Sequence, residues 1–200
     1  MPAEGVPAGQ RRSNRNQARR RTSAASCLGD DSCVRHVGRD EQTGRELYIS
    51  VVENLVTWAP PLGRLRPFAA ICALDAEAEE ETALRAMASH LMASGCHYVC
   101  AWGPGCEWLH DLVDLVWMEE NPASLALPKD APDPTYVLTT AETDLRMKGL
   151  DEALWEVVFT SWADEHEMES VLAVTAPQYA EHIERRLADT AQLHEEPDDG

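Results

Sequence analysis

FAAICALDAEAEEETALRAMASHLMASGCHYVCAWGPGCEWLHDLVDLVW, residues Phe68 to Trp117, repeats one pattern twice. Each copy is a short apolar run followed by a stretch with helical period. The runs Phe68 to Leu74 and His97 to Trp102 have the length and composition of buried strands. Between them, Leu84, Met87, Leu91 and Met92 recur at spacings of three and four, which predicts one apolar face on a helix over Ala78 to Ser94, closed by Gly95. Glu77, Glu79, Glu80 and Glu81 crowd its start, where the helix dipole favours negative charge. A second helix, Glu107 to Trp117, is expected to turn Trp108, Leu112, Val113, Val116 and Trp117 inward and to keep Asp111 and Asp114 on an outer face.

Two further copies follow: a strand over Tyr136 to Thr140, a helix over Leu150 to Trp162, a strand over Val171 to Thr175 and a helix over Pro177 to Leu187. The third helix carries an apolar stripe of Leu154, Trp155, Val158, Phe159 and Trp162, and Pro177 suits the first position of the fourth. Strands and helices alternating at these lengths predict an α/β fold. We expect three Rossmann-like layers, α/β/α, around a mainly parallel four-strand sheet, or five strands if Glu46 to Trp58 adds one. Ligands of such sheets bind outside the carboxyl ends of the strands.

Residues 1–45 differ in kind. They hold nine Arg against five acids, a net of +4, and almost no large apolar side chains. Composition therefore predicts a disordered Arg-rich arm, followed by a single domain over 46–192 and an acidic tail over 193–200. The 155 residues after the arm carry a net charge of −22. A field of that sign repels nucleic acid and anionic membranes and attracts basic partners. Six Arg between Arg11 and Arg21 are the chain's only route to phosphate contact or, alternatively, fold back onto the acidic body; no aromatic residue is interleaved to stack on bases. With no apolar run of membrane-span length and no secretion signal, the expected setting is the cytoplasm, and six cysteines there are expected to be reduced.

Chemistry is sought first at Trp102-Gly103-Pro104-Gly105-Cys106, the turn between the second strand and the second helix. Cys106 falls at a helix start, where unpaired N–H groups and the dipole lower a thiol pKa, while Glu107 next to it works to raise it. The turn is locally similar to the thioredoxin active-site turn but lacks that motif's first cysteine, since Gly103 follows Trp102. Cys96 and Cys100, on one strand face, and Cys106 and His110, on one helix face, make a C-x3-C-x5-C-x3-H series. An extended strand holds residues four apart by about 13 Å, too far to chelate one ion, so no metal is expected. Asp75, Gly103, Thr139, Thr140 and Thr175 are expected to line one crevice at the strand ends, with Glu77 or Glu142 near. LDAEAEEE after the first strand replaces any phosphate-cradling glycine loop, so no nucleotide cofactor is expected. Trp102 and Trp108 flank the turn and are candidates for an exposed interface.

Ser94, Gly95, Cys96, Ala101, Trp102, Gly103, Cys106, Trp108, Asp111, Asp114, Leu138, Thr139 and Thr140 together resemble a family of small bacterial α/β proteins of unknown function. The resemblance runs from about Pro67 to Ala176. Where relatives tend to have Trp and His after the two threonines, this chain has Ala141 and Glu142. It implies one α/β domain and no particular reaction. The function expected from charge is a non-enzymatic interaction or regulatory module that binds a basic protein partner, of immunity or accessory type, with Asp75, Trp102, Gly103, Trp108, Thr139 and Thr140 as binding residues. The alternative is a thiol-dependent enzyme or redox sensor using Cys106. A third is an arm that tethers the domain to nucleic acid.

Overall fold

The structure is a computed structural model that describes residues 34–123, 137–160 and 168–193. Among these residues, six strands form one mixed, mostly parallel sheet, ordered β1-β2-β6-β3-β4-β5. The strands are β1 (Val34–Arg39), β2 (Glu46–Val51), β3 (Phe68–Ala73), β4 (Cys96–Trp102), β5 (Leu138–Glu142) and β6 (Ser170–Thr175). Four helices accompany them: α1 (Glu81–Ala93), α2 (Cys106–Glu120), α3 (Met147–Trp155) and α4 (Pro177–Ala188). Helix α3 runs on into a π-helical turn, Glu156–Thr160.

Both faces of the sheet are covered, because β3 is apolar at every position, β6 is apolar from Val171 to Val174, and both are buried throughout, the pattern of strands with no solvent face. Ala70 and Cys72 of β3 pack with Leu84 and Leu91 of α1 and Leu109 and Leu112 of α2. Ala69, Ile71 and Ala73 pack on the other face with Leu150 and Leu154 of α3 and Ile183 and Leu187 of α4. The winding reverses between the neighbours β3 and β6, since α1 and α4, which follow them, lie on opposite faces.

The sheet has more strands than the four or five expected. Glu46 to Trp58 supplies β2 and then a short 3-10 turn, Leu55–Thr57. Val34 to Arg45, assigned on composition to the disordered arm, instead forms β1 and a hairpin turn. Strand β1 runs antiparallel to β2. Its polar side chains are engaged rather than loose: Arg35 pairs with Glu184, and His36 lies 2.8 Å from Glu46. Asp40 is 3% exposed and closes the hairpin. It accepts from the Thr43 hydroxyl (2.8 Å) and from the hydroxyl of Thr190 beyond α4 (2.7 Å). Burial pushes the Asp40 carboxyl up, and the hydrogen bonds from Thr43, Thr190 and the Gln42 backbone outweigh it, so the group stays below its usual value. Residues 1–33 of the arm, residues 124–136, Trp162 and most of the acidic tail lie outside the described residues.

Candidate functional site

The turn after β4 is built on backbone contacts with the end of β3. Leu74 N–H donates to Trp102 O (3.1 Å), and Ala76 N–H donates to Pro104 O (2.8 Å). Gly103 adopts φ +116° with its Cα pressed on the Leu74 carbonyl, so that a Cβ there would stand 2.0 Å from that oxygen. Only glycine satisfies both conditions. Gly105, at φ +74°, then reverses the chain into α2. The glycines thus serve to fold the turn down onto β3.

Cys106 sits at the head of α2, 6% exposed, and its thiol donates to Glu142 O at 3.4 Å. Burial pushes the thiol pKa up, and the charges of Glu107 and Glu142 push the same way; the backbone N–H of Glu107 opposes them and loses. The depressed thiolate expected at a helix start is therefore reversed here, because desolvation and two carboxylates outweigh the helix end. Native Cys106 is expected to alkylate more slowly than a free cysteine, with a rate that rises only above the ordinary cysteine range. Cys72, Cys96 and Cys100 should stay inert until unfolding. Mass-spectrometric alkylation against pH checks both, and a Cys106 titrating below about 8.5 would contradict the burial argument. Cys96 and Cys100 are each pushed up to about 12 by burial.

The cysteine and histidine series is not gathered. Cys96 faces the α1 and α2 side, and Cys100 the α3 and α4 side. They were expected on one strand face, but the register with β3 shifts between Phe68 and Ala69, and the irregularity turns Cys96 over. His110 lies 3.0 Å from Asp111. Among the described residues no three His, Cys, Asp or Glu side chains cluster as ligands of one ion.

The crevice residues are dispersed as well. Strand β5 pairs Thr139 with Val99 and Thr140 with Cys100 and continues to Glu142 beside Trp102, two residues beyond the expected strand end. The threonines therefore lie within the strand and on opposite faces. Thr139 donates to Asp114 of α2 (2.7 Å). Thr140 meets the Tyr98 hydroxyl at 2.9 Å, and that hydroxyl also donates to Glu156 at the start of the π-turn. Asp75 caps its own 3-10 turn by accepting from Ala78 N–H (3.3 Å). Thr175 is buried, its hydroxyl donating to Ala176 O at 3.1 Å.

Trp102, a candidate for exposure, is 2% exposed. Its Nε1–H donates to Asp144 O (2.8 Å), and its ring meets Tyr179 edge to face at 4.9 Å. Trp108, placed on the inward face of the second helix by its periodicity and at the exposed turn by its position, is 39% exposed. Leu115 and Met118 on the same helix are 38% and 39% exposed. Residues 108, 111, 115 and 118 follow one another at spacings of three and four and so form one outward stripe. Sequence reading missed Leu115 and Met118, although their spacing from Trp108 and their offset from the inward set at Leu109, Leu112, Val113 and Val116 carried the signal. Glu107, Asp111 and Glu119 stand exposed around the stripe. Glu119 accepts from Arg85 of α1 at 2.9 Å. Trp155 of the third helix, also expected inside, is 39% exposed.

The chain belongs to the family described as a domain of unknown function, DUF7684, whose model matches residues 48–191. That span begins in β2 and ends beyond α4, wider at both ends than the resemblance carried by the turn. No curated protein matches the chain. No solved structure matches it either. Among the described residues no helix is long and apolar enough to cross a membrane.

Proposed function

We propose that this member of the family is a three-layer, Rossmann-like scaffold that serves as a non-enzymatic interaction module and takes a basic protein partner on the outer face of α2. The observation that carries this is the stripe Trp108, Leu115 and Met118, three partly exposed large apolar side chains set among Glu107, Asp111 and Glu119. Aromatic and Met anchors within a charged rim are the composition of protein interfaces, and the net charge of −18 selects the sign of the partner. Of the residues expected to bind, Thr139 bonds Asp114 of α2 and Gly103 O takes the first N–H of that helix, whereas Trp102 and Thr140 face the α3 and α4 side of the sheet and Asp75 caps its own 3-10 turn. The geometry lends no support to a thiol-dependent activity, since the Cys106 sulfur donates to a carbonyl inside the fold.

A photo-crosslinking residue at position 115 of the full chain, used in its native cells, is expected to capture a protein of basic composition. Combining Glu107→Gln, Asp111→Asn and Glu119→Gln should cut the yield roughly tenfold, three rim charges at about 0.5 kcal/mol each. High salt should do the same, and Cys106→Ser should change nothing. Capture that ignores both salt and the three acids would refute the proposal.

A further inference from the structure

We infer that in the free protein the acidic face of α2 is covered by the chain's own basic segment, Arg11 to Arg21, which a partner must displace. The inference rests on the docking role of α2 argued above. The segment lies outside the described residues, and its case is made by where the described chain begins, by its length and by its charge.

The described chain begins at Val34. Because β1 is antiparallel to β2, Val34 pairs with Ser50, near the end where Val51 pairs with Thr175. That is the carboxyl edge of the parallel strands, the edge at which α1 and α2 begin. Val34 also packs against the apolar cluster under α1 and α2 rather than the one under α3 and α4. The preceding residues are therefore delivered to the edge and face where Trp108 stands.

Between β1 and β4 in the sheet lie β2, β6 and β3, four strand spacings or about 19 Å. Residues 22–33, extended, reach about 40 Å, ample for the crossing. The way passes Arg64, which donates to Val34 O, and then exposed acids that outnumber the cations: Glu77, Glu80 and Glu81 before and at the start of α1, with Arg85 holding Glu81 and Glu119, and Glu107 and Asp111 on α2. Arg11 to Arg21 contains six Arg and no acid. Arginine suits both parts of the stripe, its guanidinium lying flat on the indole of Trp108 and its methylene stem covering Leu115 and Met118.

The test uses the full chain with a photo-crosslinking phenylalanine analogue at position 115. At low salt the expected product is an intrachain link to a peptide within residues 10–22, independent of protein concentration. Replacing the six Arg by Ser, or adding 0.5 M salt, should reduce it at least tenfold. A labelled synthetic peptide of residues 10–22 should also bind the six-Ser full-length variant about tenfold more tightly than the unaltered chain, in which a tethered copy at roughly millimolar effective concentration competes.

Equal yield from the six-Ser variant, or a product that forms only between chains and grows with concentration, overturns the inference. So does equal peptide affinity for the two chains. If that equal binding is lost in the Glu107, Asp111 and Glu119 triple variant, the basic-partner reading survives without the self-docking. No peptide binding to either chain counts against both.

Discussion

Gly103→Ala is expected to cost about 4 kcal/mol of stability or more, enough to lower the melting temperature by roughly 10 °C for a body of this size. Two penalties combine. The backbone at φ +116° is one that a side-chain-bearing residue adopts only under strain, at about 1–2 kcal/mol. The new Cβ would also fall 2.0 Å from Leu74 O and 3.0 Å from its carbon, both backbone atoms. Neither side has room to yield. Leu74 N–H is held by Trp102 O, Ala76 N–H by Pro104 O, and Cys106 N–H donates to Gly103 O at 3.1 Å. Relief therefore requires breaking one or two buried backbone bonds, at about 1–3 kcal/mol each. Gly63→Ala is the control: its added Cβ meets nothing within 4 Å, and the change should stay within about 0.5 kcal/mol. Urea unfolding of the two variants checks the pair, and similar midpoints would mean that the turn does not rest on β3 as described.

The same turn separates what was legible in the sequence from what was not. Strand β6 and helix α4 lie within a residue of their expected bounds, because an unbroken apolar run and a proline at the first helical position leave little choice. Strand β1 was illegible for the opposite reason. VRHVGR has the composition of a solvated tail, and it is ordered at a sheet edge by partners distant in sequence, Glu184 and, through Asp40, Thr190. No local period reports such contacts. The fate of Cys96 turned on a register irregularity in β4, which strict alternation cannot foresee. The π-turn after α3 is equally silent. It is completed by Arg45, whose Nη1 donates to Val157 O and Val158 O at 3.1 and 2.7 Å from the far side of the hairpin. At the candidate site the glycines and Cys106 pack inside the turn, while the outward helix face, visible only by subtracting the inward one, is the face we propose for a partner.

Trp102 and Trp108, six positions apart, are expected to respond to alanine in opposite ways, and the contrast tests the assignment of structure to one and recognition to the other. Trp102→Ala removes a ring that is 2% exposed and touches three elements. It lies in β4, meets Tyr179 of α4 edge to face, and holds Asp144 O ahead of α3. Losing such a buried indole should cost about 3–5 kcal/mol. Trp102→Phe keeps the aromatic contact and gives up only the N–H. It leaves Asp144 O without that donor, at about 1–3 kcal/mol, and that carbonyl cannot turn away freely, since the Gly149 backbone packs so closely that a Cβ there would come within 2.0 Å. The loss should therefore appear first as faster hydrogen exchange in α3, ahead of the rest of the sheet. Trp108→Ala, by contrast, removes a ring already 39% exposed; its unfolding free energy should fall by no more than about 1 kcal/mol. Its effect belongs on binding, where truncating an aromatic anchor at the centre of an interface costs about 2 kcal/mol or more. A Trp108→Ala chain that folds normally and captures its partner undiminished would remove α2 from the interface. A Trp102→Ala chain of unchanged stability would mean that the carboxyl edge of the sheet is open after all, and the search for a ligand would return to Asp75 and the turn.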